Sequence, residues 1–148
     1  MVEVELILIL VIIKMYYLCE AVLVGLYSCF IYFLVSGFKC SFVYLLFLTG
    51  FLKHMLGYYI GIHSYYCKNG YACKKVRRCS NRSLYSTLLF ESVLEGIVFV
   101  FLGYLFMVVV RDKLCNVFLI GVFLHVVCEI CGLHDYFCRE RCGKYSQL

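Results

Sequence analysis

The chain has 148 residues, of which 64% are hydrophobic and 18% aromatic but only 16% charged, with a net charge of +5 and neither proline nor tryptophan. Soluble domains carry about 25% charged residues. Here the apolar excess lies in long runs (mean hydropathy +0.91), which excludes a water-soluble core and predicts an integral membrane protein of one domain, residues 1–148.

The first apolar stretch runs over about 6–36, interrupted by Lys14 and Glu20. At 1.5 Å per residue it makes roughly 46 Å of helix against a hydrocarbon core of ~30 Å. Either it tilts and projects, or its first residues lie outside the span. Lys14, Tyr16 and Tyr17 suit an interface, which places the membrane core of the helix near 18–35. The opening residues carry Glu3 and Glu5 where a cleavable signal wants positive charge, so a retained helix is expected.

The second stretch, about 42–62, follows the short turn 36–41. A polar loop, 67–83, leads to the third stretch, about 84–110. Arg111-Asp112-Lys113 turns the chain into the fourth, about 114–132, and a basic tail, 133–148, closes it. Two short connections and one longer one predict an all-α, up-down bundle of four transmembrane helices. No internal repeat or low-complexity linker stands out.

The loop carries Lys68, Lys74, Lys75, Arg77, Arg78 and Arg82 without an acid, and the tail adds Arg139, Arg141 and Lys144. With four spans, both termini and this loop share one face, and the positive-inside tendency makes it cytosolic. These cations set topology and meet anionic headgroups of the lipid bilayer, or they dock an acidic partner. No nucleic-acid motif accompanies them. Asn81-Arg82-Ser83 matches a glycosylation sequon, but on the face where no glycan is expected.

Ionisable residues also fall inside the spans: Glu20, Lys53, His54, Glu91, Glu95, His125 and Glu129. A charge at mid-bilayer costs about 2.5–3.5 kcal/mol on insertion scales, so these groups are expected to face inward and pair. Glu91 with Glu95, and His125 with Glu129, share faces at i,i+4 spacing, with Lys53 and His54 as candidate partners. Three readings are open: a structural network, a proton or ion pathway, and a carboxylate–histidine metal site. Gly57-Tyr-Tyr-Ile-Gly61 is a GxxxG, and Gly96 and Gly103 lie a heptad apart; both would allow close helix contact.

The eleven cysteines form three groups. Cys19 and Cys29 read as buried small hydrophobes. Cys40 and Cys115 each fall in a turn on the non-cytosolic face, a candidate disulfide. Cys67, Cys73, Cys79, Cys128, Cys131, Cys138 and Cys142, with His63 and His134 close by, collect on the basic face and suit zinc, disulfides or free thiols. Cys128-Glu-Ile-Cys131 is a CxxC, the only feature besides four spans that is similar to DsbB-like or vitamin K epoxide reductase-like enzymes. An enzyme is therefore the alternative, with Glu129 opposing the thiolate that catalysis needs.

The Pro-free, Tyr/Phe/Cys-rich spans, the Cys/Lys/Arg loop and the closing GLHDYFCRERC, 132–142, resemble small multi-pass membrane proteins of large nucleocytoplasmic DNA viruses. The resemblance implies a structural protein of the virion's internal membrane, anchoring it to capsid proteins. It also implies a viral thiol oxidase, which would favour disulfides in the third cysteine group. No site residue is carried over from it.

Overall fold

In a computed structural model, residues 2–70, 72–73 and 85–142 are described, with side chains from Met15 onward except those of residues 85–86, 140 and 141. Six helices and no strand make up these residues: α1 (Val2–Val35), α2 (Phe42–Tyr59), α3 (Ile62–Asn69), α4 (Tyr85–Met107), α5 (Lys113–Ile130) and α6 (Leu133–Arg141). Three stretches, Met15–Val35, Thr87–Met107 and Lys113–Ile130, are long and apolar enough to cross a membrane. The bent pair α2–α3, with 71° between its parts, makes a fourth if counted as one broken span. This is the pattern of a multi-pass membrane protein. The first stretch is one unbroken helix from Val2, so its polar start and its apolar body share an axis.

Local chemistry sets each boundary. Ser41 caps α2, its hydroxyl accepting from the Tyr44 N–H, and Asp112 caps α5, Oδ1 accepting from the Cys115 N–H at 2.8 Å. α2 and α5 both stop two residues before a glycine in the left-handed region, Gly61 at φ 83° and Gly132 at φ 71°. Only glycine enters that region without cost, and each one redirects the chain into a short helix. Residues 67–69, expected as loop, are therefore the last turn of α3, and 133–141, expected as tail, are α6. Both are too short and polar for a hydropathy signal.

The matched boundaries reveal a repeat that the sequence reading did not find. α2 and α5 begin and end 71 positions apart, as do the two capping residues and the two left-handed glycines. Fifteen of the fifty residues from Leu18 to Cys67 recur unchanged 71 positions later, without a gap. They include Glu20/Glu91, Gly25/Gly96, Gly50/Gly121, His54/His125, Gly61/Gly132, His63/His134 and Cys67/Cys138. The chain is thus two copies of one unit, long helix, capped helix, glycine bend, short helix.

Packing is exchanged between the copies: α1 lies mainly against α5, and α4 mainly against α2. Glycines allow the close approach. A Cβ at Gly50 would meet the Glu95 carbonyl at 2.7 Å, and one at Gly121 would meet the Gly25 Cα at 2.9 Å. These pairs, not the GxxxG, bring the helices together; Gly61 bends the chain and has open space around it. Beyond the glycines the core is Tyr32, Val35, Leu45, Leu46, Phe99, Leu102, Val117 and Ile120. Outside it Phe33 (74% exposed), Phe90, Phe101 and Leu23 face outward, as lipid-facing residues do.

Candidate functional site

The polar residues of the spans gather in two clusters that obey the repeat. In the first, α2 contributes Lys53 and His54 and α4 contributes Glu91 and Glu95. Lys53 forms an ion pair with Glu95, and its side chain is only 12% exposed. His54 Nδ1 lies 2.7 Å from Glu95 Oε2, and its Nε2 lies 3.4 Å from Glu91 Oε2. The His63 ring of α3 stands edge-on to His54, with centroids 4.8 Å apart. The pairing of the two acids with Lys53 and His54 satisfies the requirement that buried carboxylates find a cation or donor.

In the second cluster, His125 Nε2 of α5 is 3.7 Å from Glu20 Oε2 of α1. The His134 ring of α6 lies 4.5 Å from that of His125, and its Nδ1 is 2.8 Å from Glu129 Oε2. His125 and Glu129 share a face of α5, but they hold different partners. Tyr66 of α3 leans on both rings, 6.2 Å from His125 and 5.4 Å from His134. His63 and His134 entered the sequence reading only as neighbours of the cysteine group on the basic face. The signal that finds both is the 71-residue offset.

A third assembly caps the clusters. Cys67 in α3 is bonded to Cys142, and Cys73 to Cys138 in α6, with Cα separations of 5.3 and 5.1 Å. Each short helix is therefore bonded to the segment that follows its counterpart. Ala72, Cys73, Cys138 and Cys142 are buried together, with Tyr66, Cys67 and Phe137 packed on them. Three of the sulfurs, of Cys67, Cys73 and Cys142, lie within 4.8 Å of one another, and all three are committed to disulfides. His134 turns toward Glu129 rather than toward this group.

Other sequence candidates separate. Cys40 and Cys115 are both free thiols, each exposed, so the expected pair is not joined. Cys29 Sγ instead contacts the Leu114 carbonyl at 3.7 Å. Cys128 and Cys131 are also free: Cys128 is half-buried in the last turn of α5, and Cys131 is the exposed cap that follows. Lys68 and Arg139 are exposed on the short helices. Lys74, Lys75, Arg77, Arg78, Cys79, Asn81 and Arg82 lie outside the described residues, as does the side chain of Arg141.

No protein-family model matches the chain, and neither a curated protein nor a solved structure was found that does. The reading of its function therefore rests on this geometry.

Proposed function

We propose that the chain is a structural, assembly-type membrane protein: an up-down bundle of four spans that presents a basic, cysteine-locked face to other proteins of a larger assembly. The observation that carries this reading is the cap. Two disulfides tie α3 and α6 together over the ends of the spans. A rigid platform suits docking, because little order is lost when a partner binds. Lys68 and Arg139 on the cap, with the cations of residues 74–82, make the face complementary to acidic protein surface as well as to anionic lipid.

In this reading both termini and the loop lie on the cytosolic side, and a virion's internal membrane bound to capsid proteins is the setting that the viral resemblance supplies. The test is co-purification of the intact protein with a lattice or complex, repeated with Lys74, Lys75, Arg77 and Arg78 changed to Glu. Loss of the partner with the helices intact is expected. Recovery of the wild-type chain only as a free monomer in the membrane overturns the proposal.

One observation favours a second reading, a proton or ion conductor. The pairs His54–Glu91 and His125–Glu20 each bridge the two repeats, where repeated transporter folds place their ion sites. Proton flux into liposomes that falls in E91Q or E95Q would establish it; no flux above protein-free vesicles would remove it. A thiol oxidoreductase working through Cys128 and Cys131 requires turnover that C131S abolishes.

A further inference from the structure

The two disulfides of the cap join four sulfurs that meet at one place, and each repeat supplies two of them. Cys67 and Cys138 lie 71 positions apart, each near the end of a short helix, and Cys73 and Cys142 follow them six and four positions on. Both bonds cross between the repeats, Cys67 to Cys142 and Cys73 to Cys138. Across the two bonds, Cys73 Sγ stands 3.5 Å from Cys142 Sγ, and the sulfurs of Cys67, Cys73 and Cys142 all lie within 4.8 Å of one another. Cys138 Sγ, bonded to Cys73, is the fourth. A disulfide needs only its own two sulfurs in contact, and nothing in two such bonds calls for both to converge on one point. An ion with four ligands does.

The spacing fits zinc. Thiolates held about 2.3 Å from one tetrahedral zinc ion stand about 3.8 Å apart, and structural zinc sites are closed to water. The cap is closed: Cys73, Cys138 and Cys142 are buried together with Ala72, and Tyr66 and Phe137 pack on them. The charge fits as well. Zinc with four thiolates carries two negative charges, and exposed Lys68 and Arg139 each follow a cysteine of the group directly in sequence. Basic neighbours favour the thiolate that a metal needs. The compartment makes the same demand. The positive-inside tendency expects this face in the cytosol, where thiols are kept reduced. Reduction with nothing in place of the bonds would leave buried thiols and two untied helices.

We propose that Cys67, Cys73, Cys138 and Cys142 form a redox-switched zinc site, two disulfides when oxidised and one tetrathiolate zinc centre when reduced. A dithiol reductant opens the bonds. Two equivalents of it give up four electrons and four protons, end as two disulfides of their own, and leave four cysteine thiols. Zinc(II) then binds the four sulfurs and releases their four protons. In the reverse direction two equivalents of a small disulfide oxidant accept the four electrons from the thiolates and, with four protons, end as four thiols. Both protein bonds form again and zinc leaves as Zn(II), since only sulfur changes oxidation state. The helices α3 and α6 stay tied in either state. The inference deepens the docking reading and rests on its cap and its cytosolic face. It needs no partner, so metal binding and partner capture can fail separately.

The test uses the full-length protein in detergent, reduced with a dithiol, desalted under argon, and titrated with Co(II) or with zinc. The reduced protein should take up one metal ion per chain, and Co(II) should show the sulfur-to-cobalt charge-transfer band and strong d–d bands of a tetrahedral thiolate site. Zinc should protect Cys67, Cys73, Cys138 and Cys142 from alkylation, as mapped by mass spectrometry. Glutathione disulfide should then release the zinc and restore the two bonds. Protein that was never reduced should bind none. C67S/C142S should lose the metal, whereas C128S/C131S, outside the site, should keep it. Should the variants fail to fold, the alkylation map of the wild type still decides. A reduced protein without the Co(II) thiolate bands overturns the proposal, as does protection of other cysteines, or metal that survives C67S/C142S.

Discussion

The two halves of the chain share a backbone plan and treat charge differently. In both, a polar residue caps the second helix, a left-handed glycine bends the chain, and a short helix delivers a histidine and a cysteine. Both place a glutamate of one half against a histidine of the other. Only the cluster between α2 and α4 adds a buried ion pair, Lys53 from the first half with Glu95 from the second. Shape has been kept where backbones touch, and charge has drifted where side chains can compensate one another. Each of the following predictions breaks one shared or one divergent feature.

The largest effect should come from the feature that ties the halves together. The disulfides are nested, closing 75 and 65 residues. With one intact, the other closes a residual ring of only about 10 residues, worth about 3 kcal/mol by chain entropy, whereas losing both costs about 7 kcal/mol. C67S/C142S and C73S/C138S should therefore each shift SDS-induced unfolding modestly, and the variant lacking all four cysteines far more than either; both partners of a bond are changed because Cys73 Sγ and Cys142 Sγ lie 3.5 Å apart and would re-pair if left together. Losses that simply add would show that the two bonds do not constrain the same cap.

Next is the divergent pair. K53L leaves Glu95 buried beside His54 alone, and removing one partner of a buried pair costs about 3–5 kcal/mol. K53L/E95V gives the cluster of α2 and α4 the apolar residues that stand at the equivalent positions of the other cluster, Leu124 and Val24, and should recover most of that loss, since replacing both members of such a pair by apolar groups is close to neutral. Comparing the two variants by unfolding in detergent tests whether the ion pair is a late addition or a requirement. A double variant as unstable as the single one would make it a requirement.

A smaller step concerns the glycines. G50A would push a Cβ against the Glu95 carbonyl and G121A against the Gly25 backbone, overpacking at about 1–3 kcal/mol each. G37A, with nothing within 4 Å, should be silent. Thermal unfolding that ranks G37A with the other two would contradict the exchanged packing of α1 on α5 and α4 on α2.

These same residues explain what could be read from the sequence. The long spans were legible because membrane solvation demands unbroken apolar runs, and the pairing of Glu95 with Lys53 because a buried charge needs a partner. The repeat was hidden because thirty-five of its fifty positions have changed, most of them from one apolar residue to another that lipid accepts equally. What survived is sparse: a glycine for each contact or bend, a cysteine, a Glu and two His. α3 and α6 were lost to the loop and tail because their order comes from disulfides and from the glycine before each, neither of which periodicity reports. The choice among zinc, disulfide and thiol at the cysteines needed distances. So did the assignment of His134 to Glu129 rather than to sulfur.

The two caps offer the finest comparison, because they do the same work with one titratable group and one that does not titrate. The Cys115 and Leu114 backbone N–H groups hold the Asp112 carboxyl below its usual range. A folded-state value below the unfolded one adds stability that is fully present above the unfolded pKa, near 3.9. It is lost as pH falls through the folded value. Asp112 is fully exposed, so the effect should be small and weakened further by salt. The stability gap between wild type and D112A should accordingly be constant from pH 8 to about pH 5 and narrow below about pH 4. For S41A the gap should stay flat over the whole range, since the hydroxyl that receives the Tyr44 N–H carries no charge to lose. Parallel melts of the two variants at several pH values read this directly. A D112A gap that widens in acid, or an S41A gap that tracks it, would mean that the caps do not account for the starts of α2 and α5.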